Sequence, residues 1–145
     1  MPQLADFKGD WQITRLIEET GGGARAEGMA RFRPDGSGAL RVEESGTLTL
    51  AAGTVLRFER AYLWAQGPGG LIRTAFADGR PFHEFDPALA RPQARHDCAP
   101  DTYDVAYDFS RWPDWTAVWR VTGPRKDYQM RTEYAPLVKG LQPGG

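Results

Sequence analysis

The stretch "LIRTAFADGRPFHEFD", residues 71–86, is the clearest structural signal in the chain, because it contains two β-prone apolar runs joined by Asp78 and Gly79. An Asp-Gly pair tolerates the positive φ angles of a tight turn, so the stretch is predicted to form a β-hairpin. With a two-residue turn, the register places Thr74 opposite His83. We therefore expect antiparallel pairing between strands that are neighbours in the chain.

The predicted register also sorts the side chains of this hairpin onto two faces. The more apolar face carries Ile72, Thr74, Phe76, His83 and Phe85, and the other face carries Arg73, Ala75, Ala77, Arg80, Phe82 and Glu84. Arg73 lies opposite Glu84 and is expected to form a cross-strand ion pair with it. His83 is predicted to point into the protein, where it either contacts a ligand or metal or serves as a hydrogen-bonded core residue.

Comparable runs recur about every ten residues, and no long window has apolar residues at helical spacing. Glycine (17) and proline (11) lie throughout the chain rather than in one linker, which is typical of many turns between short strands. The predicted strands are "WQITRLIEE", "EGMARFR", "GALRVEES", "TLTLAA", "VLRFERAYLWA", "LIRTAFA", "PFHEFD", "TYDVAYDF", "WTAVWRVTG" and "DYQMRTEYA".

Further turns are predicted at Ser45-Gly46 and in "RPDGSGA". A long antiparallel meander avoids two exposed edges most simply by closing on itself. We therefore predict an all-β chain, with a single antiparallel up-and-down β-barrel of roughly 8–10 strands in residues 1–138. Residues 139–145 are predicted to form a flexible C-terminal tail.

Composition narrows the classes of partner. The chain has 145 residues, with 18 Lys and Arg against 19 Asp and Glu, so it lacks the positive excess that favours nucleic acid. No stretch approaches the roughly 20 apolar residues of a membrane-spanning helix. Cys98 is the only cysteine and the first residues show neither a basic leader nor an apolar run, so we expect a cytoplasmic location.

The N-terminal segment "FKGDWQITR", residues 7–15, places Gly9 and Trp11 at a Gly-X-Trp spacing. This segment resembles the start of the first strand in lipocalins and related barrels of the calycin superfamily. The resemblance implies that Trp11 plugs the closed end of the barrel and stacks against an arginine of the last strand. Arg131 in "DYQMRTEY" is placed to be that arginine.

Three later segments, "FADGRPFHEFD", "RHDCAPDTYDVAYDF" and "VTGPRKDYQMRTEY", are similar to an uncharacterised family of small bacterial and fungal proteins that have a lipocalin-like barrel. This resemblance spans nearly the whole chain. It implies the barrel architecture, and it leaves open whether the protein is an enzyme.

The segment "RHDC", residues 95–98, is a candidate site because His96 and Cys98 share one face of an extended segment, with Cβ atoms about 7 Å apart. Such a pair can supply two ligands to one metal, and a third ligand would come from His83 or Asp101. The alternative is that Cys98 is a small buried apolar residue and that His96 caps or bonds the following loop.

Four other polar residues are candidates for ligand contacts. Arg125 and Lys126 follow a Gly-Pro turn and can hold a carboxylate or phosphate group if they face the mouth of the barrel. Tyr103 and Tyr107 alternate with polar residues in their strand, so both hydroxyls can point into the lumen.

Three functions stay open at this level. The leading prediction is a small-molecule-binding barrel without a resident cofactor, whose ligand is apolar or amphipathic and in one version anionic. Its predicted ligand contacts are His83, Tyr103, Tyr107, Arg125, Lys126, His96, Cys98 and Asp101. The second is an enzyme or a metal- or heme-binding protein that uses His83, His96 and Cys98, with His83 as the axial ligand of a heme. The third is a barrel packed by its own aromatic side chains that acts as a protein-interaction module.

Overall fold

The computed structural model describes residues 2–137, so the predicted tail at residues 139–145 lies outside the described part of the chain. The described residues form ten β-strands and two short 3₁₀ turns, Leu4–Phe7 and Pro68–Gly70. The strands are β1 (Gly9–Glu19), β2 (Gly22–Pro34), β3 (Leu40–Leu50), β4 (Val55–Gln66), β5 (Ile72–Phe76), β6 (Pro81–Phe85), β7 (Gln93–Cys98), β8 (Asp101–Asp108), β9 (Trp115–Thr122) and β10 (Asp127–Pro136).

All ten strands belong to one antiparallel sheet with the order β6-β5-β4-β3-β2-β1-β10-β9-β8-β7. Strand β1 pairs with β10, so the sheet rolls up with its two ends, β6 and β7, beside each other. Within residues 2–137, no ladder of hydrogen bonds joins β6 to β7, and we call this line the seam. The predicted up-and-down barrel is therefore confirmed, in a nearly closed form.

The predicted strands differ from the observed ones in two places. Ser45 and Gly46 do not form a turn but lie inside β3, where Gly46 pairs with Gly28 on one side and Phe58 on the other. The runs "GALRVEES" and "TLTLAA" are consequently one strand. Residues 93–98 form β7, which is not among the predicted strands because its sequence "QARHDC" has little apolar alternation.

The predicted register of the hairpin in residues 71–86 is confirmed for its first three pairs. Thr74 faces His83, and Ile72 faces Phe85 in the same ladder. Arg73 faces Glu84, with the Nε atom of the arginine 2.7 Å from Oε2 of the glutamate. Two exposed side chains of this kind stabilise a hairpin only slightly, so the ion pair serves mainly to keep the register.

The turn of this hairpin differs from the prediction. The backbone N–H of Phe76 donates to the carbonyl of Arg80, at 2.9 Å, so the turn contains three residues instead of two. Ala75 then pairs with Pro81, and Phe82 is left as the extra residue of a β-bulge. Phe82, predicted on the outer face, consequently turns inward and stacks on Phe76, with ring centroids 4.5 Å apart.

One end of the barrel is closed by aromatic side chains. The turn Leu4–Phe7 covers this end, and the indole Nε1 of Trp11 donates to the carbonyl of Phe7 at 2.8 Å. We call the cluster the aromatic plug, and its ring centroids lie 5.0 to 6.5 Å apart where they contact. Its members are Phe7, Trp11, Phe32, Trp64, Phe109, Trp112 and Trp115. The predicted role of Trp11 as a plug agrees with this position.

Arg131 does not stack on Trp11, which corrects the expectation drawn from the resemblance. Arg131 is exposed on the outer face, opposite Leu16, and its Nε lies 3.6 Å from Oε1 of Glu133. Alternation along β10 instead points Tyr134 inward, where it lies parallel to a plug residue, Trp115, at 3.7 Å. The last strand therefore contributes an aromatic ring that stacks on Trp115, and it contributes no guanidinium to Trp11.

Gly9 of the Gly-X-Trp pair has a φ of 132°, a conformation that residues with a side chain rarely adopt. No helix in residues 2–137 is long and apolar enough to cross a membrane.

Candidate functional site

Above the aromatic plug, the barrel encloses a cavity of about 610 Å³. This volume lies within the range of small-molecule sites, about 300–1,000 Å³. The third sequence prediction, a barrel packed solid by its own side chains, does not agree with such a cavity. Its wall combines aromatic rings with polar groups from nearly every strand, and the residues discussed below are part of that wall.

His83 lies inside the barrel, as predicted, and is 8% exposed. Its Nε2 lies 2.7 Å from the hydroxyl of Tyr107, and its Nδ1 lies 2.9 Å from Oγ1 of Thr74. The hydroxyl of Thr74 also lies 3.0 Å from the carbonyl of His83. One proton assignment satisfies every group: Tyr107 donates to Nε2, Nδ1–H donates to Thr74, and Thr74 donates to the carbonyl.

This environment keeps His83 neutral. Burial, together with a smaller electrostatic effect of His96, lowers the pKa of His83 from its usual 6.5 to about 3. Because both ring nitrogens already have partners, His83 could ligate a heme or metal only after its bond to Tyr107 breaks. Among residues 2–137, no three His, Cys, Asp or Glu side chains are grouped so that they could hold a metal ion. The metal and heme alternative therefore has no support in the geometry.

The low pKa of His83 makes the stability of the barrel depend on pH. The unfolded chain takes up a proton at the ordinary pKa, near 6.5, whereas the folded chain does so only near 3. The contribution of neutral His83 to the free energy of unfolding is thus complete above pH 6.5, and it is lost as the pH falls toward 3. Between pH 7.5 and pH 5, we expect the free energy of unfolding to fall by about 2 kcal/mol, measured by urea denaturation.

A His83→Gln variant should lose this pH dependence, and a His96→Gln variant, changed at the half-exposed histidine, should keep it. If the free energy of unfolding changes equally with pH in His83→Gln and in the unmodified protein, His83 is not the responsible group.

A second group of predicted residues meets at the open end of the cavity. His96 pairs with Tyr103, and Cys98 with Asp101, across β7 and β8. The Nζ of Lys126 donates to the hydroxyl of Tyr103 at 2.9 Å and lies 3.2 Å from Oδ2 of Asp101. These two contacts raise the pKa of Lys126, so it stays protonated.

The predicted residues differ in their access to the cavity. His83, His96, Cys98, Tyr103, Tyr107 and Lys126 all line it. Asp101 does not line the cavity itself but forms an ion pair with Lys126, which does. Arg125 is exposed and does not line the cavity. Cys98 is exposed.

A buried ion pair in the cavity wall was not predicted from the sequence. Arg15 and Glu44 are each 6% exposed, and Nη2 of the arginine lies 3.0 Å from Oε1 of the glutamate. The Nε of Arg15 donates to Oγ1 of Thr132 at 2.7 Å, and the hydroxyl of Tyr134 donates to Oε2 of Glu44 at 3.3 Å. Burial lowers the pKa of Arg15, but the charge of Glu44 and its hydrogen bond to the guanidinium outweigh burial and raise the pKa overall.

Strand alternation contains the signal that could have revealed this pair. Arg15 follows Trp11 and Ile13 at every second position of β1, and Glu44 follows Val42 in the same way along β3. Each is therefore on the face that carries the core.

Two glycines explain how Arg15 reaches Glu44. In the paired strands, Arg15 lies opposite Ala26, and Glu44 lies opposite Ala30. The pair Gly28–Gly46 lies between these two positions. Since neither glycine has a side chain, the guanidinium can cross this position.

The strands also approach each other closely at these two glycines. A Cβ atom on Gly28 would lie only 2.0 Å from the carbonyl oxygen of Ser45, and one on Gly46 would lie 2.1 Å from that of Glu27. Glycine is thus required here by backbone packing.

A flat aromatic wall faces the cavity near the seam. Phe82 lies between Phe76 and Trp119, with centroid distances of 4.5 Å and 5.0 Å and interplanar angles of 25° and 6°. The edge of Phe82 also contacts His96 across the seam, at 5.2 Å. The bulge before His83 therefore supplies a stacked apolar surface beside the polar groups.

Similar folds occur in solved structures. The S-type phycobiliprotein lyase CPES from Guillardia theta is 7% identical, with a TM-score of 0.62, over 92% of this chain and 89% of that chain. A redesigned β-barrel, mFAP1, bound to DFHBI is 15% identical, with a TM-score of 0.48, over 92% and 98% of the two chains. The lyase shows the same barrel fold. Comparison with curated proteins gave no significant match.

A family model described as a family of unknown function, DUF6314, matches residues 7–136. That range covers β1 to β10, including the whole cavity wall described above. The chain therefore belongs to the family of unknown function DUF6314.

Proposed function

We propose that the protein binds a small amphipathic organic molecule in the lumen of its barrel. The observation that carries this proposal is the cavity of about 610 Å³, which stays open although the chain is rich in aromatic residues. The aromatic plug closes one end, so a ligand would enter from the mouth formed around Lys126 and Tyr103.

The cavity wall suggests the chemistry of the ligand. The stacked rings of Phe76, Phe82 and Trp119 line the cavity and offer apolar contacts for the body of the molecule. The hydroxyls of Tyr62 and Tyr103 lie on the same cavity and can form hydrogen bonds. Charged residues of the wall comprise four cations and two acids, which favours a neutral or anionic ligand: Arg15, Arg60, Arg80 and Lys126, with Glu44 and Asp97.

Binding is favoured over catalysis by the state of His83. A general base needs a free nitrogen and a pKa near the working pH, whereas His83 has two bonded nitrogens and a pKa of about 3. The barrel fold is shared with a phycobiliprotein lyase, but at 7% identity that likeness transfers no substrate. A cytoplasmic location stays a prediction, which rests on the single free cysteine, Cys98.

The test uses the fluorescent anion 1-anilinonaphthalene-8-sulfonate as a probe. We expect the folded protein to bind one molecule per chain with enhanced fluorescence. A Val121→Trp variant fills the lumen, because Val121 is buried and lines the cavity, and should weaken binding by about tenfold or more. Val118→Trp places the same ring on the outer face of the same strand and is the matched control.

Circular dichroism would first establish that both variants fold. Equal affinity in all three proteins would put the probe on the outer surface, and absence of binding in the unmodified protein would remove the proposed function.

A further inference from the structure

We propose that the lumen binds a monoanionic amphiphile head first, with its carboxylate between Arg15 and Arg60 in the middle of the barrel and its apolar part toward the mouth. This inference rests on the proposed function and adds the charge and orientation of the ligand. It is carried by three features of the cavity wall: an unbalanced charge, an unused donor and an apolar rim.

The unbalanced charge lies around Glu44. Arg15 forms an ion pair with Glu44, and Arg60 lies opposite Glu44 where β3 pairs with β4. Both arginines line the cavity. Among the described side chains, Arg60 forms no ion pair, so two cations share one carboxylate here. A monoanion would neutralise the remaining positive charge, in surroundings where charges interact more strongly than in water.

The cations at the mouth differ from Arg60 because each already has a carboxylate partner. Lys126 contacts Asp101 at 3.2 Å, and Nε of Arg80 contacts Oδ2 of Asp78 at 2.7 Å. A ligand carboxylate would have to compete with these aspartates at the mouth. It meets no such competitor at Arg60.

The unused donor belongs to Arg15. Its Nε donates to Thr132 and its Nη2 to Glu44, while Nη1 has no hydrogen-bond partner among residues 2–137. Arg15 is more than nine-tenths buried and lines the cavity, so the remaining N–H groups face the space where a ligand would lie. A guanidinium with free N–H groups is a strong partner for a carboxylate oxygen.

The hydroxyl of Tyr62 offers a third contact at the same depth. Burial raises the pKa of Tyr62 and Glu44 raises it further, while Arg60 and Arg15 lower it. The phenol stays protonated and can donate to a carboxylate.

The apolar rim determines the orientation. Of the apolar side chains that line the cavity, Phe76 and Phe82 lie in β5 and β6 beside the mouth, and the ring centroids of Phe82 and Tyr103 are 6.1 Å apart. Trp119 stacks on Phe82, with ring centroids 5.0 Å apart. An amphiphile with its charged end at Arg15 would place its apolar part against these rings, toward the mouth.

The experiment compares a fluorescent acid, 11-(dansylamino)undecanoic acid, with its uncharged methyl ester. We expect the unmodified protein to bind the acid about tenfold more tightly than the ester, as one charge-assisted contact would give. Arg60→Met, changed at an exposed side chain, should remove most of this preference. The double variant Arg15→Met/Glu44→Leu should remove it as well. Arg125→Met, which lies outside the cavity, is the matched control and should keep it.

Each other outcome contradicts a defined part of the argument. If acid and ester bind the unmodified protein equally, the lumen site stands and the anionic head group is refuted. If Lys126→Met removes the preference and Arg60→Met does not, the carboxylate lies at the mouth and the orientation is wrong. If neither probe binds, the proposed function fails together with this inference.

Discussion

Replacing Gly46 with alanine is expected to lower the free energy of unfolding by about 3 kcal/mol or more. The added Cβ would lie 2.1 Å from the carbonyl oxygen of Glu27, a backbone atom held in the ladder between β2 and β3. Neither atom can move without breaking hydrogen bonds of the sheet. Urea denaturation followed by circular dichroism measures the change.

Ser45→Ala is the matched control, because Ser45 precedes Gly46 in the same strand and is exposed on the outer face. It should change stability by about 0.5 kcal/mol or less. Gly28→Ala should behave like Gly46→Ala, since its Cβ would lie 2.0 Å from the carbonyl of Ser45. Equal stability of Gly46→Ala and Ser45→Ala would show that the strands can separate here at little cost.

Replacing Arg15 with methionine is the second large expected effect. The variant leaves the carboxylate of Glu44 buried without its ion-pair partner, and such changes typically cost about 3–5 kcal/mol. Arg15→Met/Glu44→Leu removes both charges and fills the same space with apolar atoms. We expect it to recover most of the lost stability.

Together with Glu44→Leu alone, these variants form a double-mutant cycle measured at pH 7. A large coupling energy would assign the loss to the unpaired charge. A double variant as unstable as Arg15→Met would instead show that Arg15 matters through packing, since its guanidinium carbon lies 5.8 Å from the centre of the Phe58 ring.

The barrel and part of its hairpin register could be predicted from local patterns. Alternation of apolar and polar residues fixes which side of a strand is buried, and a strong turn fixes the register near it. The pairing of Thr74 with His83 was predicted from a two-residue turn, and it is found because the bulge at Phe82 offsets the third residue of the actual turn. The inward position of His83 follows from the alternation.

The bulge at Phe82 could not be predicted in this way. Asp78-Gly79 fits a two-residue turn as well as the three-residue turn that forms, and the choice depends on packing against Trp119. Similarly, Gly46 reads as a turn residue locally, although it is required by the close approach of Gly28 in another strand.

Arg131 shows that alternation should outweigh a resemblance. Tyr128, Met130, Thr132 and Tyr134 are the inner residues of β10, and this period places Arg131 outside. The polar network around Arg15 could not be predicted from the sequence for a different reason. Its members lie 29 and 117 residues apart in the chain, on strands β3 and β10, so only the closed sheet brings them together.

The seam makes this barrel a rolled sheet rather than a closed ring. Hydrogen bonds between β1 and β10 hold the two ends of the described chain in the centre of the sheet, and the free edges, β6 and β7, come from its middle. A ring of ladders can widen only by breaking backbone hydrogen bonds. Here one line of the circumference is held by contacts between side chains such as Phe82 and His96, so a widening of the barrel along the seam would break no ladder of backbone hydrogen bonds.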